Sequence, residues 1–114
     1  MSESIVDHHL GAFGARDVNA ILEDYTEGSV LIIPNSIIKG LKNIRGFFVN
    51  FTQNILPQGS KFELVEKVAI DNIAYLIWKA ESDSYKIPFG TDTFIFEDGK
   101  IKVQTVALIL EEKK

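Results

Sequence analysis

The stretch Gly90-Thr91-Asp92-Thr93-Phe94-Ile95-Phe96-Glu97-Asp98-Gly99-Lys100-Ile101-Lys102-Val103-Gln104-Thr105-Val106-Ala107-Leu108-Ile109-Leu110 decides the fold. Two runs rich in β-branched and aromatic residues flank Glu97-Asp98-Gly99-Lys100. Asp-Gly tolerates positive φ, so the centre reads as a tight hairpin turn. The first arm extends back over 85–96 and the second covers 101–110. Towards the N-terminus, Ser82-Asp83-Ser84 makes another turn, preceded by a strand over Ile73–Glu81. Asp71-Asn72 is a further tight turn. Before it, Phe62, Leu64, Val68 and Ile70 alternate with Glu63, Val65, Lys67 and Ala69, a strand pattern. Strands of about nine to twelve residues exceed the usual five or six. Joined by tight turns, they predict an antiparallel meander that must curl. The last strand carries Ile101, Val103, Ala107 and Ile109 on one face and Val106, Leu108 and Leu110 on the other. A sheet buried on one face only has no need of both, so the second face predicts a partner surface, most simply a homodimer through the sheet.

The first half has helical periodicity instead. Ile5, His9, Leu10 and Phe13 share one helix face over 4–14, with Gly14 as a left-handed stop. Asp17 can cap a second short helix whose apolar face is Val18, Ile21, Leu22 and Tyr25, ended by Gly28. Residues 30–34 read as a short strand, Pro34-Asn35-Ser36 as a turn and Ile37-Ile38-Lys39 as the returning arm. A third helix starts near Leu41 and stops before Pro57. Its broad stripe of Ile44, Phe47, Phe48, Phe51 and Ile55 needs a concave partner. Helices first and strands after predict one α+β domain over 1–114, not βαβ units.

Composition excludes several classes of function. The net charge is -4 and the basic residues are scattered among more numerous acids, so no basic face for nucleic acid is expected. No apolar run reaches the roughly 18 to 20 residues of a membrane span, so no membrane partner is expected. The N-terminus lacks the pattern of a secretory signal. With no Cys there is no disulfide, thiolate metal site or Cys nucleophile, and a cytoplasmic home fits. There is no Gly-x-Gly-x-x-Gly, P-loop or Gly-x-Ser-x-Gly motif. His8 and His9 diverge by about 100° on a helix and do not chelate one ion. No metal and no cofactor are implied.

Ala12-Phe13-Gly14-Ala15-Arg16-Asp17-Val18, Tyr25 ahead of Ser29-Val30-Leu31, and Gly40-Leu41 combine with Gly90-Thr91-Asp92-Thr93-Phe94, Asp98-Gly99-Lys100-Ile101 and Gln104-Thr105. On these residues the chain resembles the nuclear transport factor 2-like superfamily, in its SnoaL-like and ketosteroid isomerase-like branches. The resemblance implies a cone: a curved antiparallel sheet wrapped on three N-terminal helices. That fold hosts isomerases, cyclases, dehydratases and pure binding modules, so it does not fix the reaction. Steroid isomerases of this kind place an Asp base before a Pro on the first strand, where this chain has Ile33, which accepts no proton. Ungapped counting puts His9 at their oxyanion-donor Tyr and Phe89 near their protonated Asp. The resemblance therefore implies no steroid isomerase activity.

Two residues stand out as catalytic candidates. His9 lies on an apolar helix face and titrates near working pH; its alternative is a core histidine with a satisfied hydrogen bond. Asp92 is a lone acid with the strand parity of Phe94 and Phe96, so it points inward and needs a partner or a raised pKa. A His9–Asp92 pair would supply both a partner and a base with its orienter; the alternative is a structural ion pair. Trp78 suits a pocket floor or a core filler. Gln104 breaks an apolar face with an amide that a ligand could satisfy. Glu66 has the parity of its apolar neighbours, so it is either a pocket carboxylate or turned outward by a bulge. Tyr25 reads as a core residue with its hydroxyl at the rim.

Three readings follow. The first is a pocket protein taking a small organic molecule, lined by His9, Phe13, Phe47, Phe51, Trp78, Phe89, Asp92 and Gln104. The second is a cofactor-free isomerase or cyclase that abstracts a proton next to a carbonyl, with His9 or Asp92 as base and Gln104 as enolate donor. The third is an interaction module using the outer sheet face.

Overall fold

The computed structural model describes residues 2–114. The chain runs α1 (Ser2–Gly14), α2 (Val18–Leu22), β1 (Tyr25–Ile33), β2 (Ser36–Lys39), α3 (Gly40–Asn50), a π-helical turn (Phe51–Ile55), β3 (Lys61–Ile70), β4 (Ile73–Glu81), β5 (Tyr85–Glu97) and β6 (Lys100–Glu112). The strands form one unclosed curved sheet in the order β2-β1-β6-β5-β4-β3. Its pairings are antiparallel except β1 with β6, which is parallel. The α+β class and the helix-filled curved sheet expected from the sequence are present. The parallel pair was not expected, because nothing in a hairpin pattern announces where an N-terminal strand will dock.

Alternation explains the core. Ala74, Leu76, Trp78 and Ala80 of β4 are buried, as are Phe94 and Phe96 of β5. Against them pack Ile5, Val6, Ala12 and Phe13 of α1, Ile21 of α2, and Ile44 and Phe48 of α3. Asp98 and Gly99 have φ of 53° and 76°, so the Asp-Gly turn has the left-handed backbone its residues favour.

Three local expectations are corrected. The left-handed residue after α1 is Arg16 (φ 56°), and Gly14 stays helical. Asp17 N donates to Ala12 O and Arg16 N to Phe13 O, which closes the helix in a Schellman-type turn. The Arg16 guanidinium donates to Phe13 O, Gly14 O, Leu56 O and Pro57 O, offsetting its unfavourable φ. The second helix ends at Leu22, and the strand begins already at Tyr25. A wide irregularity between Tyr25 and Val30 allows this, held by Ser29 Oγ accepting from Thr26 N and donating to Ile101 O. The third helix changes to π geometry at Phe51, where Leu56 N reaches Phe51 O.

Bulges then reassign strand faces. In β6 one extra residue lies between the pairs Ile95–Val103 and Phe96–Ile101, so Ile101 faces inward with Gln104 and Val106, and Val103 is sent outward. In β3 an extra residue between Leu64 and Glu66 puts Glu66 opposite Ile77 on the outer face. In β5 an extra residue around Pro88 separates buried Ile87 from exposed Phe89. The outer face thereby presents Val68, Ile70, Ile73, Phe89, Ile95 and Ile109 to solvent. Several are direct cross-strand neighbours: Ile70 with Ile73, Ile73 with Ile95, and Phe89 with Ile109.

Candidate functional site

Between the helices and the concave sheet lies a cavity walled largely by aromatic side chains. From α1 come His9, Leu10 and Phe13; from α3 and the π turn, Phe47, Phe48 and Phe51; from the sheet, Phe62, Leu76, Trp78, Asp92, Gln104 and Val106. The room open to the centres of water molecules is about 40 Å³, enough for a few atoms. Phe47 and Phe51 stack with centroids 5.7 Å apart, and Phe13 lies 5.8 Å from Phe51, so one wall is a continuous aromatic surface.

The polar atoms converge on one carboxyl group. Trp78 Nε1 donates to Asp92 Oδ1 at 3.3 Å and Gln104 Nε2 donates to Oδ2 at 3.4 Å. The Tyr25 hydroxyl donates in turn to Gln104 Oε1. All four residues are buried. Burial pushes the Asp92 pKa up to about 7, and the two long hydrogen bonds offset only part of that. Burial, with Asp92 and Asp24 nearby, holds the Tyr25 phenol well above its ordinary value, so it stays a donor.

His9 sits in an aromatic cage. Its ring meets Tyr25, Phe48 and Phe94 edge-on at 6.0, 5.7 and 5.4 Å between centroids. Burial, helped by neighbouring His8, lowers its pKa to about 4, so the imidazole is neutral at pH 7. His9 Nδ1 is buried with no hydrogen-bond partner among the described residues. His8 points outward and bonds Asp24 Oδ2 at 2.7 Å, which raises its pKa.

Seven of the eight residues read from the sequence therefore line the cavity: His9, Phe13, Phe47, Phe51, Trp78, Asp92 and Gln104. Phe89 does not. It is 47% exposed on the outer face, because its odd number opposes the inward parity of Asp92 and Phe94. His9 and Asp92 share the cavity, but the hydrogen bonds to the carboxyl group come from Trp78 and Gln104. Tyr25 has its hydroxyl in the interior, not at the rim. Tyr25 has the parity of buried Ser29 and Leu31, but the sequence pattern sets it on the second helix, where strand alternation does not apply. Among the described residues, no group of three or more His, Asp or Glu is placed to hold a metal ion. No helix among the described residues is long and apolar enough to cross a membrane.

Comparison with known proteins agrees with this architecture. An NTF2-like protein of unknown function from Mesorhizobium loti superposes with a TM-score of 0.80 at 17% identity, over 95% of this chain and 90% of that one. A provisionally assigned polyketide cyclase from Sinorhizobium meliloti gives a TM-score of 0.75 at 19% identity, over 90% and 93%. A provisionally assigned isomerase of the SnoaL-like family from Agrobacterium tumefaciens gives 0.72 at 20%, over 95% and 97%. At these identities the likeness is one of fold. No curated protein matches the chain in sequence. The family model for the SnoaL-like domain matches residues 6–104, from α1 to the Gln104 that touches Asp92, and the chain is a member of the SnoaL-like family.

Proposed function

We propose that this chain binds a small, uncharged, mostly apolar organic molecule in the cavity, with Asp92 as its polar anchor. The observation carrying this reading is a buried carboxyl group, reached by two donors, in a chamber otherwise walled by aromatic and aliphatic side chains. No Lys or Arg lines the chamber and His9 is neutral, so an anionic ligand would find no countercharge there. Acetone and butanone, sized to a cavity with room for a few atoms, are expected to raise the melting temperature where acetate does not. At a hundred times its dissociation constant, a ligand stabilises by about 2.7 kcal/mol. Leu10→Trp, which sets an indole at a half-buried position in the cavity wall, is expected to abolish the shift. Equal shifts in that variant would place binding elsewhere.

A second reading is favoured by the pKa of Asp92. A carboxyl group poised at about 7 is matched to proton transfer at neutral pH, so Asp92 is the stronger candidate than His9 for a base acting next to a carbonyl. Deuterium exchange at the α-carbon of bound ketones, lost in Asp92→Asn, is the expected sign. Exchange that persists in Asp92→Asn would remove Asp92 from that role.

The homodimer belongs to the same proposal. The apolar belt of Val68, Ile70, Ile73, Phe89, Ile95 and Ile109 suits a second copy, since an apolar sheet face is covered economically by its own likeness. Sedimentation is expected to give a dimer, and Phe89→Lys with Ile95→Lys a folded monomer. A wild-type monomer at high micromolar concentration would remove this part of the proposal.

A further inference from the structure

We infer that Tyr25 is a positioning residue: its buried hydroxyl fixes which way round the Gln104 amide sits, and so determines which hydrogen bonds Asp92 can offer a ligand. The last step rests on the proposed ligand site; the first does not. The two ends of a glutamine amide have similar shapes and opposite hydrogen-bonding character. With Nε2 towards Asp92, as observed, both Gln104 and Trp78 donate to the carboxyl group. A ligand then meets free lone pairs when Asp92 is ionised and an uncommitted O–H when it is neutral. With the amide reversed, Oε1 would face Asp92. An ionised Asp92 would then oppose an acceptor, and a neutral one would spend its O–H on Gln104 and have none for the ligand.

Tyr25 separates these two states. In the observed state its O–H donates to Gln104 Oε1. Reversal would present the hydroxyl with an NH2 group, and the buried O–H would lose its acceptor, which is unfavourable in the interior. Phenylalanine at this position would leave both orientations open. The neutral form of Asp92 would then gain a state in which it donates to Gln104, and its titration would move upward. The other titratable groups facing this region do not compete: His9 of α1 is neutral at pH 7, and Asp24, ahead of β1, is engaged by His8. No Lys or Arg lines the cavity.

The test is the carboxyl carbon-13 titration of Asp92 in ligand-free protein. Tyr25→Phe is expected to raise the midpoint by about one pH unit. Gln104→Leu also raises it, by removing a donor. In the Gln104→Leu background, Tyr25→Phe should add almost nothing, since Tyr25 acts only through the amide. An unchanged midpoint in Tyr25→Phe, or a full shift retained in the double variant, overturns the inference. Should the variants not fold, the unsubstituted protein decides. Its Gln104 amide protons are expected to show nuclear Overhauser contacts to the Asp92 β-protons, and contacts to the Tyr25 ring alone would reverse the assignment. None of these readings needs a ligand. A failed ligand screen with the expected titrations would therefore sink the binding proposal and leave the role of Tyr25 standing.

Discussion

Asp92→Asn is expected to be less stable than the natural chain at pH 4 and more stable at pH 8, so that the two stability curves cross. The sign follows from linkage. The folded pKa of Asp92 is about 7, against an ordinary 3.8, so between those values the native state holds a proton that the unfolded chain has released. That contribution is fully present below pH 3.8 and is lost as pH rises towards 7. At about 1.4 kcal/mol per unit, the loss amounts to about 4 kcal/mol. Asparagine is uncharged throughout and escapes it. Its amide cannot accept from both Trp78 and Gln104, however, so one buried donor goes unpaired at a cost of about 1–3 kcal/mol at every pH. His9 contributes with the opposite sign. Its folded pKa of about 4, below the ordinary 6.5, makes stability fall as pH drops from 6.5 to 4, by about 3 kcal/mol. In the natural chain the two slopes oppose each other between pH 4 and 6.5. Asp92→Asn should therefore expose a profile that rises with pH over that range, and His9→Phe one that falls. Urea denaturation from pH 4 to 8 reads all three curves. Parallel curves for Asp92→Asn and the natural chain would mean that the carboxyl group is not desolvated in the native state.

The legible part of this site was what alternation controls. Asp92 keeps step with Phe94 and Phe96, and Trp78 with Leu76 and Ala80, so period two placed both on the concave side. The helical stripe through Phe47 and Phe51 survives a change of helix type because both residues still face the sheet. Reading failed where one added residue inverts the alternation. Phe89, expected in the cavity lining, has a parity that opposes that of Asp92, and the extra residue beside it lets Ile87 take the inward position instead. Ile101 and Gln104 share a face only because of the extra residue in β6. Tyr25 misleads for a different reason: helical spacing with Val18, Ile21 and Leu22 sets it on the second helix, whereas the chain has already entered β1 there, held by Ser29 bonding Ile101 O, 72 residues away in the chain. A bulge is a property of a strand pair, and its partner is not written in the local pattern.

Gly90→Ala is expected to destabilise the fold by about 3 kcal/mol, the upper end of ordinary core overpacking. Gly90 lies opposite Trp78 across the β4–β5 ladder. A β-carbon at Gly90 would stand 2.6 Å from both Cε2 and Cζ2 of the indole, well inside van der Waals contact. The indole cannot yield easily. It is 4% exposed, stacks on Phe62 with centroids 5.5 Å apart, and donates from Nε1 to Asp92. The glycine thus serves close approach and not an unusual backbone angle, which explains an otherwise unfavourable residue inside a long strand. Any displacement that relieves the clash moves the ring forming the cavity floor and lengthens an already long bond to Asp92. Lost stability should therefore come with a higher Asp92 titration midpoint and a shift in tryptophan fluorescence, this being the only Trp in the chain. Trp78→Phe combined with Gly90→Ala relieves the clash and is expected to recover part of the loss, a positive coupling between neighbours. A Gly90→Ala chain as stable as the natural one, with an unmoved Asp92, would show that the indole does not lie against the strand at this point, and the floor of the proposed site would have to be redrawn.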